Sequence, residues 1–148
     1  MTPLTNITPI HSNHASETRA APVYTVAPGY HVSFLAGAGG GVASFDLIEV
    51  VAAQCHGPAA QRHAGAIWFH VLEGRLQIFE TQADRLRPSV RLSAGETHAV
   101  PAGVAHAAHN VGEGAVRFLI GGEPGTIASY LAQFDEMRSF PRAYGQVA

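Results

Sequence analysis

Hydrophobic and polar residues alternate along most of this chain, in short segments that Gly and Pro residues interrupt. The alternation begins near Val23 and recurs to about residue 120. Side chains of a strand point to opposite faces in turn, so alternation of this kind predicts half-buried strands. The predicted strands cover residues 23–26, 30–35, 42–52, 63–72, 75–80, 89–92 and 115–120. Short strands at regular spacing favour an all-β sandwich or barrel over βαβ units.

The hydrophobic period changes after residue 123. Ile127, Tyr130, Leu131 and Phe134 recur at i, i+3, i+4 and i+7, and Pro124-Gly125 precedes them. This spacing predicts one amphipathic helix from about residue 126 to 137, with its apolar face on the outside of the barrel.

Three segments follow from these patterns. Residues 1–22 are rich in Thr, Ser, Asn, Pro and His without a clear period, which predicts a loose arm, either disordered or exchanged with a partner. Residues 23–122 form the predicted barrel, and residues 123–148 form the helix and a tail packed on it. A chain of 148 residues fits one domain with a single core.

Composition excludes several kinds of partner and mechanism. The net charge of −2 gives no basic field for nucleic acid or for an anionic membrane surface. All nine basic residues are Arg, so a Schiff-base lysine and a phosphate-binding loop lysine are both excluded. The hydrophobic fraction is 47% and the charged fraction only 14%. Apolar surface patches are therefore expected, and we expect a homodimer.

Cysteine usage and the terminal sequence indicate the compartment. Cys55 is the only cysteine, which excludes an intramolecular disulfide and a Cys-rich zinc site. The first residues lack a basic region followed by an apolar run, and no later segment has 18 apolar residues in succession. We therefore expect a cytoplasmic protein that does not enter a membrane.

One stretch carries the strongest chemical signal. Gly95, Pro101, Gly103, His106 and Asn110 have the spacing G-x5-P-x-G-x2-H-x3-N. The pattern predicts a short strand, a Pro/Gly turn and a second strand on which His106 and Asn110 share one face. His106 is therefore expected to point into whatever that face encloses.

This stretch resembles the second conserved motif of the cupin superfamily. The resemblance implies an all-β fold, a single antiparallel cupin (jelly-roll) β-barrel, and it implies one metal ion held among histidines. The first cupin motif supplies two histidines and a glutamate before a hairpin. Aligned on the predicted hairpin at Glu73-Gly74, the corresponding positions here are Gln61, His63 and Ile67.

The implied metal ligands are therefore His63 and His106, with Gln61 as a weak third through its carbonyl oxygen. The metal would be one divalent transition ion, Fe, Ni, Zn, Mn or Cu, since imidazole suits all of these. Ile67 offers no ligand. His98 faces the barrel interior if Val100 does, because the two share a strand face. His70 has the opposite parity to Ile67 and should point outward unless a bulge intervenes.

Within the superfamily, the chain resembles the single-domain quercetinase-like cupins. The cues are Gly57-Pro58, a Gly-rich turn before a long strand, and Glu123-Pro124-Gly125 before the helix. This implies an enzyme related to metal-dependent dioxygenases, acting on a small aromatic or polyketide-like substrate in the barrel pocket.

Two other functions stay open. The first is a metal-free isomerase, cyclase or dehydratase in which His63, His106 and His98 perform acid/base catalysis. The second is a non-catalytic module that binds a small molecule.

Overall fold

The computed structural model describes residues 22–36 and 45–137, which form nine strands and one helix. All strand pairs are antiparallel. The predicted all-β fold with one C-terminal helix is confirmed. In chain order the elements are β1 Val23–Ala27, β2 Tyr30–Ala36, β3 Asp46–Ala52, β4 Ile67–Glu73, β5 Arg75–Gln82, β6 Arg85–Ser93, β7 Thr97–Val100, β8 His106–His109, β9 Val116–Gly122 and α1 Thr126–Met137.

Two sheets enclose the core. The larger sheet has six strands in the order β1-β2-β3-β9-β4-β7, and the smaller has three in the order β6-β5-β8. Along β3 and β4, every second side chain is buried, as alternation requires when only one face meets the core. One connected cluster fills the space between the sheets, including Ile48, Phe69, Phe118 and Ile78, each fully buried.

The sequence led us to expect that helix α1 packs on the outside of the barrel. In the structure, the apolar residues of the helix also join the interior cluster. All four predicted apolar positions, from Ile127 to Phe134, are buried. Phe134 and Tyr130 reach Tyr30 on the inner face of β2, with ring centroids of Phe134 and Tyr30 5.2 Å apart. No helix within the described residues has the length and hydropathy needed to cross a membrane.

Several predicted boundaries differ from the structure. The strand predicted over residues 63–72 begins at Ile67, so His63 lies in the irregular segment before β4. Asn110 lies one residue beyond β8, where its amide donates to the carbonyl oxygens of Ala52 and Gly114. The predicted arm and tail, and the start of the strand predicted at residue 42, lie outside the described residues, apart from Pro22 in the arm.

The outer face of the larger sheet carries Trp68 and His70. They alternate with buried Ile67, Phe69 and Val71, so the outward direction predicted for His70 agrees with the structure. Trp68 lies directly over Gly121 of β9, its cross-strand neighbour. A Cβ at Gly121 would stand 2.0 Å from Cζ2 of the indole, so only glycine fits beneath this ring.

Candidate functional site

Backbone pairing positions His106 beside Gln61. The amide of each residue donates to the carbonyl oxygen of the other, at 2.8 Å in both directions. Two residues that exchange both hydrogen bonds stand directly opposite each other, with side chains on the same face. On its other side, His106 pairs with Glu80 of β5. The side chains of Gln61, His106 and Glu80 therefore form a row on the inner face.

His63 reaches the same place from the segment before β4. Its carbonyl oxygen accepts a hydrogen bond of 2.8 Å from the amide of Gly103, in the turn between β7 and β8. Gly103 has a φ of 81°, a conformation that glycine adopts without steric cost. The Pro/Gly turn of the sequence motif thus fixes the backbone of His63 as well as leading into His106.

The two imidazoles face each other in the interior. Their ring centroids lie 5.2 Å apart, and the residues are only 4% and 3% exposed. Burial, reinforced by the charge of a protonated His106, lowers the pKa of His63 from 6.5 to about 4. Burial also lowers the pKa of His106, although the hydrogen bond to Val104 and the charge of Glu80 act in the opposite direction. Both rings are therefore neutral at pH 7.

The tautomer of His106 follows from its hydrogen bond. Its Nδ1 lies 3.0 Å from the carbonyl oxygen of Val104, which can only accept, so Nδ1 carries the proton of the neutral ring. The lone pair of His106 then lies on Nε2. A ring held in this way presents Nε2 as a metal ligand or as a base.

Three buried atoms of the site have no hydrogen-bond partner among the described residues. They are Nε2 of His63, Nε2 of His106 and Oε1 of Gln61. Leaving such a group unpaired costs about 1–3 kcal/mol, and all three atoms can bind a divalent cation. Within residues 22–36 and 45–137, no three His, Cys, Asp or Glu side chains cluster closely enough to hold a metal ion. Beside the two histidines, the amide oxygen of Gln61 is the third acceptor of this group, and the three side chains would fit part of a transition-metal shell.

The other candidate positions are resolved as follows. Ile67 is fully buried and supplies no ligand. His98 lies on the same side of β7 as buried Val100, and its Nε2 is 3.3 Å from Oε1 of Glu80. Neither His98 nor His70 is placed among the unpaired atoms of the site.

Glu80 is a residue that the sequence analysis did not single out. It lies on the inner side of β5, in step with fully buried Leu76 and Ile78, and its side chain is 16% exposed. The sequence could have indicated Glu80, because a carboxylate at the third inward-facing position of an alternating strand is unusual.

An open cleft of about 520 Å³ leads to His63. It lies where the start of α1 meets the segment after His63. The hydroxyl of Ser129, on its wall, is 3.2 Å from Nδ1 of His63. Ser129 was also missed, and no local pattern relates it to a histidine 66 positions earlier. The residues lining the cleft are His63, Ala64, Gly65, Glu123, Pro124, Gly125, Thr126 and Ser129.

Comparison with known proteins identifies the family. The cupin domain model matches residues 47–121, just over half of the chain, and includes every strand from β4 to β8 together with the three site residues. The chain belongs to the cupin domain family. No curated protein sequence matches it significantly.

Solved structures share the fold at low sequence identity. An oxalate oxidase has a TM-score of 0.60 at 18% identity, covering 84% of this chain and 65% of its own. An RmlC-like cupin from Shewanella frigidimarina has 0.56 at 14%, covering 71% and 85%. The CENP-C cupin domain of Drosophila melanogaster has 0.57 at 11%, covering 79% and 84%. At these identities the likeness concerns the fold.

Proposed function

We propose that this protein is a metal-dependent cupin enzyme that acts on a small molecule at the inner end of the cleft. The observation that carries the proposal is a group of three buried acceptor atoms, on His63, His106 and Gln61, that have no hydrogen-bond partner in the part of the chain that the structure describes. Both imidazoles are neutral at pH 7, so a cation can bind without first displacing a proton. Binding would supply the partner that each of these atoms lacks.

The bound metal would supply Lewis acidity and, for a redox-active ion, a binding site for dioxygen. The protein's own contribution is to hold the two imidazoles in position and to exclude water from the site. Phe69 packs edge-on against His106, with centroids 5.8 Å apart, and the ring of Tyr130 lies 6.2 Å from His63. Both rings belong to the buried core, so they hold the two imidazoles in place and keep water from their inner side. The small aromatic or polyketide-like substrate and the quercetinase-like dioxygenase chemistry rest on the sequence resemblance.

Glu80 could supply the negative charge that Ile67 lacks. In the cupins that this chain resembles, a ligating glutamate at the Ile67 position balances part of the charge of the ion. Here the carboxylate of Glu80 lies next to His106 and contacts His98. Its negative charge, next to His106 in the same row, favours a cation at His106. His98 thus takes a supporting place and does not act as a ligand.

Metal analysis of the purified full-length protein tests the proposal. We expect a divalent transition metal to copurify or to rebind after chelation, and His106→Ala to abolish binding. His70→Gln is the matched control, because it removes a histidine from the outer face of β4. If neither the purified nor the reloaded protein binds any transition metal, the proposal is wrong.

The second candidate is a metal-free enzyme, which the small donor set favours: two histidines and one amide are fewer ligands than a closed site has. In that case the Nε2 lone pairs of His63 and His106 act as bases. Turnover that survives complete chelation distinguishes this candidate. The remaining alternative is a non-catalytic module that binds a small molecule, which a tightly bound ligand without turnover would indicate.

Self-association is a separate proposal. We propose a homodimer, supported by exposed apolar side chains at Leu35, 45% exposed, and Phe45, 46% exposed. Sedimentation of the wild type and of Phe45→Ser tests it, with a shift towards monomer expected for the variant. A monomeric wild type contradicts it. The cytoplasmic location stays a prediction.

A further inference from the structure

We propose that Ser129 of helix α1 is a positioning residue of the proposed metal site: its hydroxyl oxygen accepts a hydrogen bond from Nδ1–H of His63, so that the lone pair of the ring lies on Nε2 and is free for a divalent cation. This inference rests on the proposed function. It makes the C-terminal helix part of the site.

The hydrogen bond between His63 and Ser129 decides which nitrogen of the buried ring is free. The Nδ1–Oγ distance is 3.2 Å, and a hydroxyl can either accept or donate a hydrogen bond. If Ser129 donated, the proton of the neutral ring would lie on Nε2. That atom has no hydrogen-bond partner among the described residues in either tautomer, but an Nε2–H group cannot bind a cation. If Ser129 accepts, Nε2 carries a lone pair, which is the form that binds a metal.

The same helix fixes the serine in place. Tyr130, the next residue, lies beside the ring of His63, and its hydroxyl forms a buried hydrogen bond with that of Tyr30 on β2. The backbone amide of Gly125 donates to the carboxylate of Asp46 at 2.9 Å. The first turns of α1 are thus anchored to two strands, which holds the backbone of Ser129 next to His63 although Ser129 itself is exposed on the wall of the cleft.

Ligating histidines commonly donate their second N–H group to a neighbouring acceptor, and loss of that acceptor weakens metal binding by about 10–100-fold. For His106 the acceptor is the carbonyl of Val104, which mutation cannot remove. For His63 it is a side chain, so its role can be tested directly.

The experiment is a Co(II) titration of the chelated full-length protein, followed through the visible absorption of the bound ion. We expect Ser129→Ala to weaken Co(II) affinity about 10-fold or more. Ser129→Thr, which keeps the hydroxyl, should bind within about threefold of the wild type. Ser89→Ala is the matched control, since Ser89 donates to the carbonyl of Ile78 on the other sheet and should change nothing.

A second measurement needs no mutation. Long-range proton–nitrogen NMR spectra of the metal-free wild type should show His63 protonated on Nδ1, and a proton on Nε2 overturns the inference. Equal Co(II) affinities for wild type and Ser129→Ala, or a Ser129→Thr variant as weak as Ser129→Ala, also overturn it while leaving the proposed function intact. A wild type that binds no Co(II) or other transition metal overturns both.

Discussion

At His63, burial and a neighbouring imidazole act on protonation in the same direction. The pKa of about 4 lies below the ordinary value of a histidine in an unfolded chain, about 6.5. The neutral ring is therefore favoured by folding, and protons favour the unfolded chain. This stabilisation is complete above pH 6.5 and is lost as the pH falls towards 4.

The metal-free protein should accordingly lose stability between about pH 6.5 and pH 4. The part due to His63 is at most about 3 kcal/mol, the upper bound set by the size of the pKa displacement. Urea unfolding at a series of pH values measures it. His63→Gln should flatten the curve in this range, whereas His70→Gln, on the outer face, should keep the fall. Superimposable curves for wild type and His63→Gln would contradict the argument.

Glu80 permits a second test on a single residue. Glu80→Gln keeps the shape of the side chain and removes the charge beside His106. We expect the affinity for a divalent metal to fall about 10-fold, because the attraction between the carboxylate and the cation is lost. The pKa of His106, followed by NMR, should fall further. Glu113→Gln, on the surface, is the control, and equal metal affinity for the Glu80 variant would exclude a charge role.

At the scale of elements, β8, the segment before β4 and helix α1 meet at the site. The helix was predictable in extent because its apolar period is regular, and all four of its predicted apolar residues are buried. The hydrophobic period does not reveal which element the apolar face packs against. Tyr130 meets His63 and Tyr30 through contacts between residues far apart in the chain.

Truncation of the helix's apolar face should destabilise the whole barrel. Leu131 is fully buried in the common core, so Leu131→Ala should cost about 3 kcal/mol. Ala132→Ser, at the exposed neighbouring position, should stay within about 0.5 kcal/mol of the wild type. Chemical denaturation of both variants measures the difference. A small loss for Leu131→Ala would indicate that the helix is only loosely attached.

The same distinction separates the site residues that sequence reasoning found from those it missed. His63, His106 and Gln61 could be proposed from the sequence because a motif of glycines, a proline and a hairpin fixes their places along the chain. Glu80 was not singled out, although its strand parity was visible, because its pairing with His106 is a contact between distant segments. Ser129 offers no local signal. The order of strands and turns along the chain can thus be predicted from periodicity and turn residues. Which side chains become neighbours across the sheets can be known only from the three-dimensional structure.

At the scale of the whole molecule, metal binding and folding should be linked, because the three donors come from segments that meet only in the folded barrel. A ligand that binds only the folded state stabilises it by about 2.7 kcal/mol at 100 times its dissociation constant. For a domain of this size, that corresponds to a rise in Tm of about 5–10 °C. Calorimetry with and without Co(II) measures it. His106→Ala should show no rise, and a rise of equal size in that variant would place the ion elsewhere.

The ring of Trp68 over Gly121 has a practical consequence for such measurements. The chain contains a single tryptophan, and it lies on the outer face of β4, whereas the neighbouring Phe69 points inward to His106. Intrinsic fluorescence therefore reports on the integrity of the larger sheet from the side away from the histidines. The emission should change sharply when the barrel unfolds and little when an ion binds. The fluorescence of Trp68 can thus follow global unfolding separately from metal binding at the site.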